Sequence, residues 1–589
     1  MNDFLKYTLA SLLGVVLACI LSVVVSLLTL AGVAASGESE VTISDNSILV
    51  LDFDGQLAER AEEMPFGRLM GDKYEKYGLD DVLSSIKKAK ENENIKGIYL
   101  QPKSLSTSYA SLEAIRRALA NFKESGKFIV AYADQYTQAM YYLASVADKV
   151  IANPKGSISW HGIAGQVMYY KELMEKLGVE MQVFKVGTYK SAVEPFIATE
   201  MSEANREQIT AYITSIWDQI CTDVSASRSI SIDSLNVMAE AMQDVQPAET
   251  YLANGLVDTL LYKDGVRDYL KQLTDRDEDQ SLRTVRISEM KNVKRDVPKD
   301  KSGNVVAVYY AFGEIVDESS DYSFDNSIVL EKTITDLRAL RDDKSIKAVV
   351  LRVNSPGGSA YASEQIWNEV VKLKEKKPVV VSMGDYAASG GYYISCAADA
   401  IVAEATTLTG SIGIFGTFPC AEKLMNDKLG LHVNVVKTHK FADLGDYTRA
   451  MNNDEKELLQ AYINRGYELF TRRCAEGRCM DIDSLKQIAE GRVWTGTVAK
   501  ELGLVDEIGG LDKALEIAAD KAEVDAYSVV NYPENSMDWL HFLDVKKTDY
   551  INGSVKHFLG DYAECFWYLR NVNGINSLQA RLPFEISLQ

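Results

Sequence analysis

Three stretches of the 589-residue chain combine residue types that can do acyl-transfer chemistry. The first is PVVVSMGDYAASGGYYISCAA, Pro378 to Ala398. A β-branched run, Val379–Val381, reads as a buried strand, small residues follow, and Tyr392-Tyr393-Ile394 begins a helical pattern. A serine at such a strand-to-helix junction, Ser389, has an exposed hydroxyl above a helix N-terminus. The free N–H groups and partial positive charge there suit an oxyanion. Taken alone, Ser389 reads as a capping serine in a tight turn. The second stretch is the glycine turn Asn354-Ser-Pro-Gly-Gly-Ser359. The third is Gly187-Thr-Tyr-Lys-Ser-Ala-Val-Glu-Pro-Phe196, where Lys190 is flanked by small and apolar residues. A serine hydroxyl is a weak nucleophile and needs a base. A lysine can serve when burial keeps it neutral, and Ser-Lys pairs are a variant of the triad logic. Lys190 is the candidate base, Lys440 is a rival in the same half as Ser389, and His439 and His161 are weaker alternatives.

The elements that would hold these residues repeat. Asn94-Ile-Lys-Gly-Ile-Tyr-Leu100 matches Ser345-Ile-Lys-Ala-Val-Val-Leu351, and Ala147-Asp148 matches Ala398-Asp399 at an offset of 399 − 148 = 251. Leu177-Gly178 matches Leu429-Gly430, and Gly255-Leu-Val-Asp258 matches Gly503-Leu-Val-Asp506. Offsets near 250 held from end to end imply two domains of one fold, related by duplication. Short β-branched strands alternate with helical patterns in each half, which predicts βαβ units and an α/β fold. The expected divisions are 1–37 for a cytoplasmic stub and transmembrane anchor, 45–273 for the first half and 274–301 for a charged linker. The second half is expected over 302–525 and a tail over 526–589.

The halves are not chemically equivalent. Aligning Tyr141-Tyr142 with Tyr392-Tyr393 puts Gln138 opposite Ser389 and Ala139 opposite Gly390. The glycine turn falls opposite Lys103–Ser108, which holds neither glycine. Lys190 falls opposite Ala442 without a gap, or opposite Lys440 after a slide of two residues. The asymmetry hints at one site built from both halves.

Composition narrows the remaining classes. A net charge of −21 argues against nucleic acid as a partner. Seven scattered cysteines and five histidines form no zinc-like spacing, so no metal is implied. From Tyr7 to Gly37 runs a segment of 31 residues without a charge, after Lys6 and before Glu38 and Glu40. It exceeds the apolar region of a cleaved signal peptide, despite the cleavage-like Val33-Ala34-Ala35. An uncleaved anchor with the body outside the cytoplasm is expected. In the tail, Trp539–Phe542 and Phe566–Tyr568 are aromatic clusters for which packing on the protein's own body is the simplest expectation.

The combination of 354–359, Met383–Tyr393, Thr409-Gly-Ser-Ile-Gly-Ile-Phe-Gly416, Gly187–Phe196 and Arg492-Val-Trp-Thr-Gly496 resembles the signal peptide peptidase A family. The likeness is to its long, tandem-domain, membrane-anchored form, over roughly 45 to 525. It implies two tandem Clp protease/crotonase-like domains after one N-terminal transmembrane helix. It implies a serine endopeptidase that degrades cleaved signal peptides in the bacterial cytoplasmic membrane, with its body on the extracytoplasmic side. Residue by residue it implies Ser389 as nucleophile, Lys190 as general base, and Ser411 as the group orienting the lysine. Gly357 and Gly390 would supply the oxyanion N–H groups, and Gly358 would shape the turn. The resemblance implies no cofactor, hydrophobic peptide substrates and a homotetramer. It assigns no role to Asp385. The rival readings are a crotonase-type acyl-CoA enzyme, which needs neither Ser389 nor Lys190, and a non-catalytic scaffold.

Overall fold

A computed structural model describes residues 6–8, 13–22, 41–60, 75–294, 300–318, 326–533 and 579–581. Each half is built on a mainly parallel sheet. In the first half the order is Arg283–Arg286, Ser47–Leu51, Ile95–Leu100, Phe128–Tyr136, Lys149–Ile158 and Thr259–Leu260, all parallel. In the second, Ser528–Tyr532, Val305–Phe312, Ile346–Ser355, Val379–Ala388 and Leu408–Gly410 run parallel, and Val493–Thr495 closes the edge antiparallel. Central strands such as SILVL and the VVLRV part of Ile346–Ser355 are buried on both faces, as parallel strands covered by helices require. The covering helices bury residues at helical spacing, Val82, Ile86 and Ala89 on Leu79–Glu91, and Ile366, Val370 and Leu373 on Ala360–Lys374.

The duplication extends to side-chain roles. Asp148 accepts from Ile129 N and Asp399 from Val379 N, each tying a strand to the loop after a helix. Asp258 accepts from Val150 N and Asp506 from Ile401 N, and Arg228 and Arg478 brace those two aspartates. The helices Glu203–Arg228 and Asn453–Arg478 both hold 26 residues, offset by 453 − 203 = 250.

Two expected boundaries are corrected. Within 274–301, Arg283–Arg286 pairs in parallel with Ser47–Leu51, and Ile287–Met290 forms a helical turn. Part of the charged stretch is therefore an edge strand rather than linker. Its counterpart is Ser528–Tyr532, beyond the expected end of the second half, which pairs with Val305–Phe312. Both are short edge strands with largely exposed side chains, so neither carries the apolar run that marks a buried strand. The expected anchor, 1–37, lies mostly outside the described residues. Among the described residues no helix is long and apolar enough to cross a membrane. The two aromatic clusters of the tail also lie outside them.

A third sheet joins the halves. The second-half strand Ile414–Cys420 pairs antiparallel with the first-half strand Glu180–Val186, from Ile414 opposite Val186 to Cys420 opposite Glu180. Polar contacts reinforce the seam. Arg352 pairs with Glu59 at 2.6 Å, both side chains only 4% exposed, and Arg117 reaches Glu404 at 2.5 Å.

Candidate active site

The register of that seam decides where Lys190 goes. Val186 opposite Ile414 delivers the following turn, Gly187 to Lys190, beside Ser411 to Gly413. Tyr189 N donates to Glu490 O at 3.0 Å, fixing the turn against the second half. Gly491 lies flat on the lysine: it has φ +78°, and a Cβ there would sit 2.7 Å from Lys190 Cβ.

Ser389 sits where Val379–Ala388 ends and the helix Gly390–Ser395 begins, as the sequence predicts, although the strand is longer than its β-branched core. Its backbone has φ 55° and ψ −114°, a conformation that L residues rarely adopt. Ser389 N donates to Gly410 O at 2.8 Å, and its side chain makes no capping bond to the helix. The hydroxyl is thereby left for another partner. Lys190 Nζ lies 2.8 Å from Ser389 Oγ, 3.0 Å from Ser411 Oγ and 3.1 Å from Ser411 O. Lys190, Ser389 and Ser411 are all fully buried, so the Ser389 hydroxyl is not exposed as the strand-to-helix junction suggests.

Burial without a neighbouring carboxylate holds the Lys190 amine well below the usual lysine range. A neutral amine has two N–H donors and one lone pair. Ser411 O, Ser411 Oγ and Ser389 Oγ stand within hydrogen-bond reach of those three positions. An amine held this way can take the hydroxyl proton. The rivals are elsewhere: Lys440 is exposed and ion-paired with Asp454, and His439 and His161 are exposed.

The glycine turn is pressed against the serine loop. A Cβ on Gly391 would meet Ser355 O at 2.6 Å. Gly358, with φ +153°, has Ile315 O where a Cβ would stand, 2.1 Å away. Gly357 N donates to Ser355 Oγ at 3.2 Å. The strand Gly357–Ser359 faces Ile414–Cys420 across a cleft, and Gln579–Arg581 lies between them, antiparallel to both. The cleft therefore accepts an extended backbone.

Several contributors lie in the quoted motifs without an assigned role. Asp385 accepts from Ser108 Oγ, from Ser111 Oγ at 2.6 Å and from Ser111 N at 3.2 Å, at the start of the first-half helix Tyr109–Lys123. Asn354 Nδ2 joins the same carboxylate at 3.2 Å and Glu59 at 3.0 Å. The loop before Ser389 and the glycine turn are thus both tied to the first half. In that half Gln138 fills the serine position, accepting from His161 N and Gly162 N at 3.0 Å each. Its amide replaces the chemistry with structural bonds.

Residues 121–277 and 371–525 match Peptidase family S49, and 323–407 match Clp protease. Protease 4 of Salmonella typhi is 36% identical over 549 residues, covering 90% of this chain and 87% of that one. The chain belongs to peptidase family S49. Protease 4 of Haemophilus influenzae is 34% identical, covering 85% of this chain and 83% of its own. The chloroplastic serine protease SPPA of Arabidopsis thaliana is 33% identical, covering 82% and 70%. The S49 chain is a serine peptidase with two tandem domains of mixed α/β, Clp-protease-like fold, and the acyl-CoA and scaffold readings give way to that.

Proposed function

We propose that this S49 peptidase is a membrane-anchored endopeptidase with a Ser389-Lys190 dyad, which degrades cleaved signal peptides remaining in the bacterial cytoplasmic membrane. The observation that carries the reading is the 2.8 Å approach of a fully buried, charge-disfavoured lysine amine to Ser389 Oγ. The uncharged segment Tyr7–Gly37 is the anchor, and the catalytic body lies on the extracytoplasmic side. The chain works as a homo-oligomer, a tetramer by family resemblance. Hydrophobic peptides are its substrates.

In this mechanism a peptide enters as an extended strand between Gly357–Ser359 and Ile414–Cys420, along the line that Gln579–Arg581 follows. Lys190 takes the Ser389 proton as Oγ attacks the carbonyl carbon. Backbone N–H groups of Gly357 and Gly390 receive the oxyanion, which requires Gly357 to give up its long bond to Ser355 Oγ. Gly358 holds the turn open. The Lys190 ammonium, steadied by Ser411, protonates the leaving amine and leaves an acyl-enzyme. Water, deprotonated by the same lysine, then releases the acid. No cofactor is needed in this sequence.

Ser389→Ala and Lys190→Ala are expected to abolish hydrolysis of hydrophobic peptide and ester substrates without unfolding. A phosphonate should label Ser389 in the native chain. Full activity in Lys190→Ala would overturn the dyad. Intact signal peptide after incubation with membranes that hold enzyme active on the ester substrate would overturn the substrate.

A further inference from the structure

The motif Arg492-Val-Trp-Thr-Gly496 takes no part in the bond-making steps, yet both serines of the site are set from it. Ser411 N donates to Arg492 O at 2.7 Å, and Val493 stands opposite Gly410, whose carbonyl accepts from Ser389 N at 2.8 Å. Ser411 bonds Arg492, and Gly496 N donates to Thr407 O at 2.8 Å, so Val493 is a non-bonded position of this antiparallel ladder. Val493–Thr495 is the edge strand of its sheet, and the Val493 N–H points away from it, toward the first half. A buried backbone donor there needs a partner.

The partner is Gln208, fully buried on the first-half helix Glu203–Arg228, whose Oε1 accepts from Val493 N at 3.3 Å. Nε2 of the same amide lies 3.0 Å from Tyr189 O and 2.8 Å from Ser191 Oγ, with Asn205 Oδ1 at 3.0 Å. Tyr189 O can only accept and Val493 N can only donate, so the orientation of the amide is forced. One side chain thus holds the residues on both sides of Lys190 and the strand that sets the serines. Toward the surface the neighbouring Glu207 repeats the link: it pairs with Arg492 at 2.8 Å and accepts from Tyr189 Oη at 3.0 Å. The second half has no such strut. Its helix Asn453–Arg478 offers Leu458 at the matching position, 458 − 208 = 250, and Leu458 is 52% exposed.

We propose that Gln208 is the positioning residue of the general base: its carboxamide ties Tyr189 and Ser191 to Val493, and so fixes where Lys190 stands against Ser411 and Ser389. The inference rests on the reading of Lys190 as base. Gln208 bonds the backbone of Tyr189 and the hydroxyl of Ser191 rather than the reacting atoms, so it acts through the lysine turn. A carboxamide supplies a donor and an acceptor at once, whereas glutamate would set an acceptor against Tyr189 O. The lysine side chain has four rotatable carbons, and holding its backbone from both sides keeps the amine in its dry slot. The charged side chains that bond the lysine turn are Lys185, Glu207, Glu490 and Arg492. None of them sets the charge state of the amine, which burial alone depresses.

The test is ester hydrolysis by the full chain in mild detergent, with rates expressed per site titrated to completion by a phosphonate. Gln208→Met keeps the length and removes the bonds, and kcat per site should fall by about 10- to 100-fold with KM little changed. Its kcat/KM profile should move to higher pH by about one unit or more, because a loosened lysine meets water and its pKa climbs back toward the free value. Gln208→Glu should move it further, since a carboxylate favours the ammonium. Ser191→Ala removes one acceptor of the strut and should shift the profile the same way by less. Ser215→Ala breaks the 2.8 Å contact of the same helix with Thr495 and should lower stability while leaving the profile in place. Wild-type kcat and profile in Gln208→Met, or an equal shift in Ser215→Ala, would overturn the strut. Where neither Gln208 variant takes up label, Ser191→Ala decides, and a wild-type profile there overturns it. Lys190→Ala separates the two readings: full activity removes the base and the strut together, whereas loss of activity beside an unshifted Gln208→Met removes the strut alone.

Discussion

Replacing Lys190 with methionine separates what the amine does for chemistry from what it costs the fold. The side chain is fully buried, and burial alone holds its folded pKa well below that of a free lysine. In the unfolded chain the amine titrates near ~10.4. Between the folded and unfolded values, the unfolded chain binds a proton that the folded chain lacks. Stability therefore rises with pH through that window, by about 1.4 kcal/mol per pH unit, and levels off above the unfolded value. Methionine has similar length and does not titrate, so the variant loses this slope. It also leaves Ser411 O without a donor, a loss of ~1–3 kcal/mol that is independent of pH and shifts only the offset. Denaturant unfolding of both proteins, in steps from about pH 7 to about pH 10, should show wild type gaining on Lys190→Met by about 1.4 kcal/mol per unit inside the window. Hydrolysis by the variant should fall by ~10²–10⁴-fold or more. In the wild type, kcat/KM should rise with pH through the folded pKa and then plateau. Parallel stability curves would mean that Lys190 is charged when folded, and would refute the base assignment.

Gly491→Ala places a methyl 2.7 Å from Lys190 Cβ at a backbone with φ +78°. Steady-state kinetics should show kcat falling more than KM changes, since the lysine moves and the cleft does not. Glu59→Gln leaves Arg352 buried without its counter-charge, and thermal or denaturant unfolding should register a loss of ~3–5 kcal/mol. Deleting 579–589 empties the cleft between Gly357–Ser359 and Ile414–Cys420. Short peptides should then show a lower KM with kcat unchanged, and an unchanged KM would mean that the strand does not compete with substrate.

The sequence carried the duplication because strand, helix and aspartate positions recur at a nearly constant offset. Pairs such as Asp148 and Asp399 do the same backbone work in both halves. It carried Ser389 because a strand end, small residues and a helix start are local features. The edge strands Arg283–Arg286 and Ser528–Tyr532 were not legible. Each is short and largely exposed, so charge and irregular period outweigh any apolar pattern. Asp385 has no role legible in the sequence because its partners, Ser108 and Ser111, lie 277 and 274 positions away. Gly491 had no signal at all, since its role is to leave space for a side chain of the other half.

By itself the sequence determined the fold class, the repeat, the silencing of one serine position by Gln138, and a short set of candidate bases. It put Lys190 ahead of Lys440, His439 and His161 but could not place any of them against Ser389, because a base is defined by reach and by burial, and neither is a local property. Of the four, the antiparallel register of Glu180–Val186 on Ile414–Cys420 brings Lys190 beside Ser389. It carries Lys190 across 199 positions of chain to Ser389, and the packing of Phe415, Gly413 and Gly491 around it keeps water from the amine. Desolvation lowers the lysine's proton affinity, and only the tertiary structure supplies it.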